Sequence, residues 1–319
     1  MGDHRYLVGS LALILAASGF GMLGPVARLA YEAGFEPIAF VGWRAMFGFL
    51  AIVVIVAVAT RRGMGVVNPL RLPRGDLAGL AAIVVAGLGV NIATFVAFDL
   101  TTVALVLLAF YTYPALVAAV AVALGHERLD GTRLVALLLA LGGMVLVVAG
   151  APDQARGGAA FNPAGVLLGL LAAVFQTLFV TVSRGRLVAV PAVQVMGWVL
   201  LAMTATCIPL AAVLGDALDV PLHGGPALGL VMLAGILGAG LPSILLLFGI
   251  RAIGGTRAGI LMLIEPLVGV TLAAVLLHEA LLPIQVVGGG AILAAALLLQ
   301  RGARGDGRDP IAVPLAERT

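Results

Sequence analysis

The sequence is a succession of apolar runs, each about as long as a bilayer-crossing helix, separated by short segments that hold most of its charge. A span needs ~20 apolar residues to cover ~30 Å of hydrocarbon, and a chain in lipid must satisfy every backbone N–H and C=O internally. Runs of this kind therefore fold as transmembrane helices. Cutting the chain where charges and turn formers interrupt them gives ten expected spans, at 7–30, 37–60, 77–98, 102–124, 133–151, 163–183, 189–214, 226–248, 256–277 and 282–300. Leu77 to Gly125 carries only Asp99 and is too long for one helix, so it is expected to fold back near Asp99 and Thr101-Thr102. With 62% hydrophobic and only 10% charged residues, the chain lies outside the soluble globular range, in which about a quarter of residues are charged. The run from Leu7 to Ala27 follows a basic Arg5, as in a signal peptide, but it is long enough to span and is read as an uncleaved first helix.

The basic residues are all arginine, and their distribution sets an expected orientation, because short cytoplasmic loops are enriched in positive charge. With the N-terminus inside, the inner segments hold Arg5; Arg61, Arg62, Arg71 and Arg74; Arg128 and Arg133; Arg184 and Arg186; Arg251 and Arg257; and Arg301, Arg304, Arg308 and Arg318. The outer turns hold Glu32, Glu36, Asp99, Asp153, Asp216, Asp219 and Glu279, with Arg156 and, near an edge, Arg28. The alternation favours an even number of spans with both termini inside. Arginines in such turns anchor helices, so the net charge of +3 does not point to nucleic acid. Cys207 is the only cysteine, which excludes an internal disulfide and a cysteine-based metal cluster.

Shifting the sequence by 152 residues lays Pro114 on Pro266, His126-Glu127 on His278-Glu279, and Leu129 on Leu281. Gly42-Trp43 pairs more loosely with Gly197-Trp198. The chain reads as two five-helix repeats, 1–151 and 163–300, joined by a periplasmic linker at 152–162 and followed by a cytoplasmic polar tail at 301–319. Because five is odd, the second repeat must enter the membrane in the opposite sense. The expected fold is thus an all-α polytopic membrane protein with ten transmembrane helices in two inverted repeats, an architecture that builds alternating-access sites between its halves.

Pro37 followed by Arg44, Tyr113-Pro114 running to Gly125-His126-Glu127-Arg128-Leu129, and Glu265-Pro266 running to His278-Glu279-Ala280-Leu281 resemble the EamA-type branch of the drug/metabolite transporter superfamily. The resemblance covers about Leu7 to Gln300 and implies export of amino acids, related metabolites or drugs through a central cavity lined by both repeats.

Glu265 lies near the middle of the ninth expected span, where an ionisable group costs about 3 kcal/mol even on lenient insertion scales. Two readings compete: a cavity carboxylate that binds an amine or carries a proton, or a structural carboxyl bonded to Arg44 or to carbonyls freed by Pro266. Arg44, about 10 Å below the outer boundary, either holds a substrate carboxylate or ties helices together, and the tie is favoured. Asn91 and Gln176 are the next candidates, since an amide in hydrocarbon needs more partners than a hydroxyl. Trp43, Tyr111, Tyr113, Trp198 and Ser243, with Ser18, Thr94 and Thr177, are further candidates for recognising a polar solute. Their bland alternatives are bonding to backbone or placement at membrane interfaces. Pro25, Pro114, Pro209, Pro242 and Pro266 fall inside spans and are candidate hinges. Gly165-x-x-x-Gly169 and Gly288-Gly289-Gly290 are read as close-packing sites, and His126-Glu127 and His278-Glu279 as helix ends.

These features favour a secondary exporter of small metabolites, amino acids or related compounds, in a bacterial inner membrane. Broad multidrug efflux is the alternative, weakened by the lack of a carboxylate from Leu7 to Ala27. No nucleotide-binding loop or hydrolytic constellation stands in the sequence, so neither an ATP-driven pump nor an enzyme is expected. The expected partners are a small-molecule substrate and membrane lipid, with a proton as candidate coupling ion. Cofactor and metal are not called for, and oligomeric state is not specified.

Overall fold

A computed structural model of the chain describes residues 2–63, 65–101, 103–125, 130–149, 162–185, 187, 190–276 and 282–305. The described residues form helices and no strands. In chain order they are α1 (Gly2–Gly21), α2 (Leu23–Glu32), α3 (Pro37–Arg61), α4 (Arg74–Leu100), α5 (Val103–Phe110), α6 (Tyr113–Ala123), α7 (Gly131–Ala149), α8 (Pro163–Gly185), α9 (Ala192–Leu214), α10 (Gly225–Gly235), α11 (Leu241–Ile253), α12 (Gly255–Met262), α13 (Ile264–Leu276) and α14 (Pro283–Gly305).

Among the described residues, eight helical stretches are long and apolar enough to cross a membrane: Arg5–Glu32, Pro37–Arg61, Arg74–Thr94, Leu105–Ala123, Gly131–Val148, Pro163–Arg184, Ala192–Leu214 and Gly225–Ile253. Pro283–Leu298 is a shorter apolar helix. The ninth expected span, 256–277, is divided between α12 and α13, each too short to cross alone. The expected fold-back near Asp99 is present: α4 ends at Leu100, and Thr101 is extended at φ −152° and ψ 179°. The linker up to residue 161, the tail beyond 305, and both His-Glu pairs lie outside the described residues.

Four of the five intraspan prolines mark breaks, because a proline inside a helix removes one donor and crowds the preceding turn. Pro25 follows the turn at Met22 between α1 and α2, Pro114 the turn between α5 and α6, and Pro266 the turn at Leu263 between α12 and α13. Pro242 follows a π-helical turn, Ile236–Gly240, between α10 and α11. Pro209 does not act as a break: α9 runs through it from Ala192 to Leu214.

The two halves pack on each other reciprocally. Helix α3 lies along its counterpart α9, and α7 along its counterpart α14. The pairing of α1 with α11 is mirrored by that of α8 with α4. Hydrogen bonds at both ends fix the sense of the α3–α9 pair. At one end the Ala39 N–H donates to Asp216 Oδ2 at 3.2 Å. At the other, Val67 N–H donates to Gln194 Oε1 at 3.1 Å and Gln194 Nε2 donates to the Gly65 carbonyl at 3.3 Å. The start of each helix thus meets the end of the other, so equivalent helices run antiparallel, as an inverted repeat requires.

Lipid tails are as apolar as leucine, so helix association here depends on close packing. Gly143 and Gly288 provide it between α7 and α14: a Cβ on either would come 2.5 Å from the other's carbonyl oxygen. Gly165 packs on Thr101 and Gly169 on Val106 and Ala109, the close approach expected of that pair. Gly288 and Gly289 behave likewise, whereas Gly290 faces no atom within 4 Å.

Candidate functional site

Three of the helix breaks converge on Glu265. The carboxylate sits in the first turn of α13, directly after the break at Leu263. Tyr111, in the break between α5 and α6, brings its phenol beside this carboxylate. Tyr113 acts on the same carboxylate from the first turn of α6. Gly21, at the end of α1, packs so closely that a Cβ there would lie 2.6 Å from the Glu265 carbonyl oxygen. On α12, Gly259 lies against Pro114, with Tyr113 Cε2 at 3.7 Å from its would-be Cβ. Pro25, Pro114 and Pro266 have no N–H, so Gly21, Phe110 and Met262 each lose the usual intrahelical donor to their carbonyls. The site therefore combines one carboxylate, two phenols and main-chain polar groups at breaks in three spans.

Tyr111 and Tyr113 are each only 2% exposed, packed inside the protein rather than on its surface. Phe110 packs between them, its ring 5.2 Å from Tyr111 and 5.3 Å from Tyr113. Under the 152-residue shift Glu265-Pro266 falls on Tyr113-Pro114. The repeat thus places a carboxylate and a phenol at equivalent positions of two facing broken spans.

Arg44 forms a separate centre. It is 6% exposed, and its Nη2 donates to Asn91 Oδ1 at 2.7 Å. Asn91 Nδ2 in turn donates to the Gly87 carbonyl at 2.9 Å. The expected alternative of an Arg44–Glu265 bond is not what forms among the described residues: Glu265 lies beside Tyr111, and Arg44 bonds Asn91, tying α3 to α4. The π turn in the eighth span approaches this centre, since a Cβ on Gly235 would lie 2.7 Å from the Arg44 carbonyl oxygen.

The other candidates are dispersed. Trp43 is half-buried and stacks on Phe47, with centroids 6.3 Å apart, and its enclosed indole N–H has no acceptor among the described residues. Trp198, Gln176 and Ser243 are half-buried on α9, α8 and α11. The Thr94 hydroxyl is enclosed with no partner among the described residues. Ser18 and Thr177 bond the Ile14 and Ala173 carbonyls of their own helices, the bland alternative.

Two contacts were not anticipated from the sequence. Arg251, read as a loop charge, is part-buried and donates from Nη1 to Val190 O at 2.8 Å and from Nη2 to Leu187 O at 2.9 Å. Leu187 holds φ 58°, a conformation that nothing about a leucine signals. The guanidinium of Arg257 lies over the Tyr6 ring, 5.2 Å from its centroid, joining α12 to α1. Arginine next to a short turn signalled only an anchor, because its partner comes from a distant part of the chain.

None of the curated proteins compared with this chain matches it. A solved structure titled only "Crystal structure of protein" superposes with a TM-score of 0.76 at 22% identity, covering 96% of this chain and 99% of the other, a likeness of fold. The model of the EamA-like transporter family matches residues 7–149 and again 163–301. With two family repeats accounting for most of its length, the chain is a multi-pass membrane protein and belongs to the EamA-like transporter family.

Proposed function

We propose that this transporter is a secondary exporter of small metabolites, amino acids or related compounds, and that Glu265 receives the amine of the cargo or a coupling proton. The observation that carries the reading is the convergence of three broken helices on one half-buried carboxylate that lies beside a phenol and bonds no arginine among the described residues. A carboxylate so placed has no cationic partner among the described residues, and an ammonium group or a proton supplies the missing charge. The antiparallel packing of equivalent helices supports alternating access between two inverted repeats, 1–151 and 163–300. We read α12 and α13 together as the ninth span and α14 as the tenth, with both termini on the cytoplasmic side of a bacterial inner membrane. Arg44 and Asn91 hold the first repeat in shape beside the pathway.

The test compares metabolites in the medium of cells producing the wild type, Glu265→Gln or neither, at matched membrane expression. Export of one compound class by the wild type and its loss in Glu265→Gln is the expected result. Equal export by both removes Glu265 from the mechanism. If no metabolite accumulates and the wild type instead raises tolerance to cationic drugs, the cargo is xenobiotic.

A further inference from the structure

The start of α12 is buried, and no side chain caps it. Gly254, at its N-cap with φ 88°, has no side chain to offer, and Gly255 and Thr256 in the first turn are both out of solvent. The first N–H groups of a helix have no partner within it and carry partial positive charge, so an enclosed end of this kind calls for an acceptor. The Thr256 hydroxyl lies in the same turn at 0% exposure, with no partner among the described residues. Helix α8 crosses here: a Cβ on Gly255 would lie 3.0 Å from Val180 Cγ1. Ser183 stands one turn further along the same face of α8, and its hydroxyl too is at 0% exposure with no partner among the described residues. Beyond it, Arg251 holds the Leu187 and Val190 carbonyls, so Ser183 falls between two contacts of this stretch with the junction of α11 and α12. Arg251 Nε is enclosed without a partner among the described residues, and both of these acceptors are neutral.

The charge of this corner is of one sign. Residues 163–215 and 220–264 hold Arg184, Arg186, Arg251 and Arg257 and no aspartate or glutamate. A half-buried guanidinium bonded to carbonyls still lacks a counter-charge, and the groups beside it are hydroxyl and N–H donors. We propose that a small inorganic anion of chloride size binds at the N-terminus of α12, held by the main-chain N–H groups there and by the Thr256 and Ser183 hydroxyls, and balancing Arg251. Hydroxyls at zero exposure suit a monatomic ion, whereas a lipid phosphate carries substituents that a closed seam excludes. The ion ties α8 to the junction of α11 and α12, at the end of α12 away from the break at Leu263, and its site stands apart from the reading of Glu265.

Thermal unfolding of the purified full-length protein tests this at constant ionic strength, with sodium gluconate replaced stepwise by sodium chloride. The wild-type midpoint is expected to rise with chloride and then level off. In Ser183→Ala and in Thr256→Val, half of that rise is expected to need about tenfold more chloride, the effect of one lost hydrogen bond. Thr204→Val removes a hydroxyl that bonds the Leu200 carbonyl of its own helix, and is expected to need the wild-type concentration. Because the chloride required for half the rise is compared, a variant of lower overall stability still reports on the site. A wild-type midpoint indifferent to chloride overturns the proposal, as does half-rise at equal chloride in the wild type, Ser183→Ala and Thr256→Val. A rise produced by phosphatidylglycerol and not by chloride overturns it as well, and assigns the corner to a lipid headgroup.

Discussion

Arg44 poses the most demanding problem that a single residue can set in this protein, a guanidinium almost fully out of solvent on a membrane helix. Its bond to Asn91 makes a sharp prediction, because removing Asn91 takes a hydrogen bond from a buried guanidinium. Asn91→Leu is expected to lower stability by about 2 kcal/mol, read as an earlier thermal transition of the purified protein. Arg44→Met in the same chain should recover part of that loss, and simple addition of the two losses would show that the pair does not interact. Glu265 and Arg44 were legible in the sequence because a charge inside an apolar run has few explanations. Their partners were not, since Asn91 and Tyr111 are set by how distant helices meet, and hydropathy carries no record of that.

Helix breaks and close contacts belong to the next scale. Proline placed the breaks at Met22, at Tyr111-Thr112 and at Leu263 within a few residues, yet Pro209 sits inside an unbroken helix. Neighbouring packing therefore decides which prolines interrupt a span, and sequence alone offers only candidates. The glycines divide in the same way. Gly288 is expected to be intolerant of a side chain and Gly290 tolerant, because only the first meets a facing backbone. Gly288→Val should cost about 1–3 kcal/mol as α14 is pushed from α7, while Gly290→Val stays within about 1 kcal/mol. Equal losses in chemical-denaturation curves would mean that this seam does not limit stability.

The whole molecule is a two-fold arrangement whose halves face opposite ways, and this too has a direct readout. In a variant lacking Cys207, cysteines at Asp216 or Asp219 should react with an impermeant maleimide applied to intact cells. Cysteines at Arg71 or Arg184 should react only after the membrane is opened. The reverse pattern would turn the molecule over without altering its packing, because the antiparallel contacts at Ala39 and Gln194 hold in either orientation. The sequence displayed the two repeats well, since duplication is a linear feature.

The convergence of three broken helices has a consequence for how such a carrier changes over generations. Much of the polarity around Glu265 is main chain, exposed by proline, and a point mutation at a side chain does not delete it. Tyr113 and Glu265 occupy equivalent places, one in each repeat, on top of that permanent floor. On the proposed role of Glu265, new cargo preferences are reachable by exchanging one or two side chains, with the main-chain polarity inherited intact.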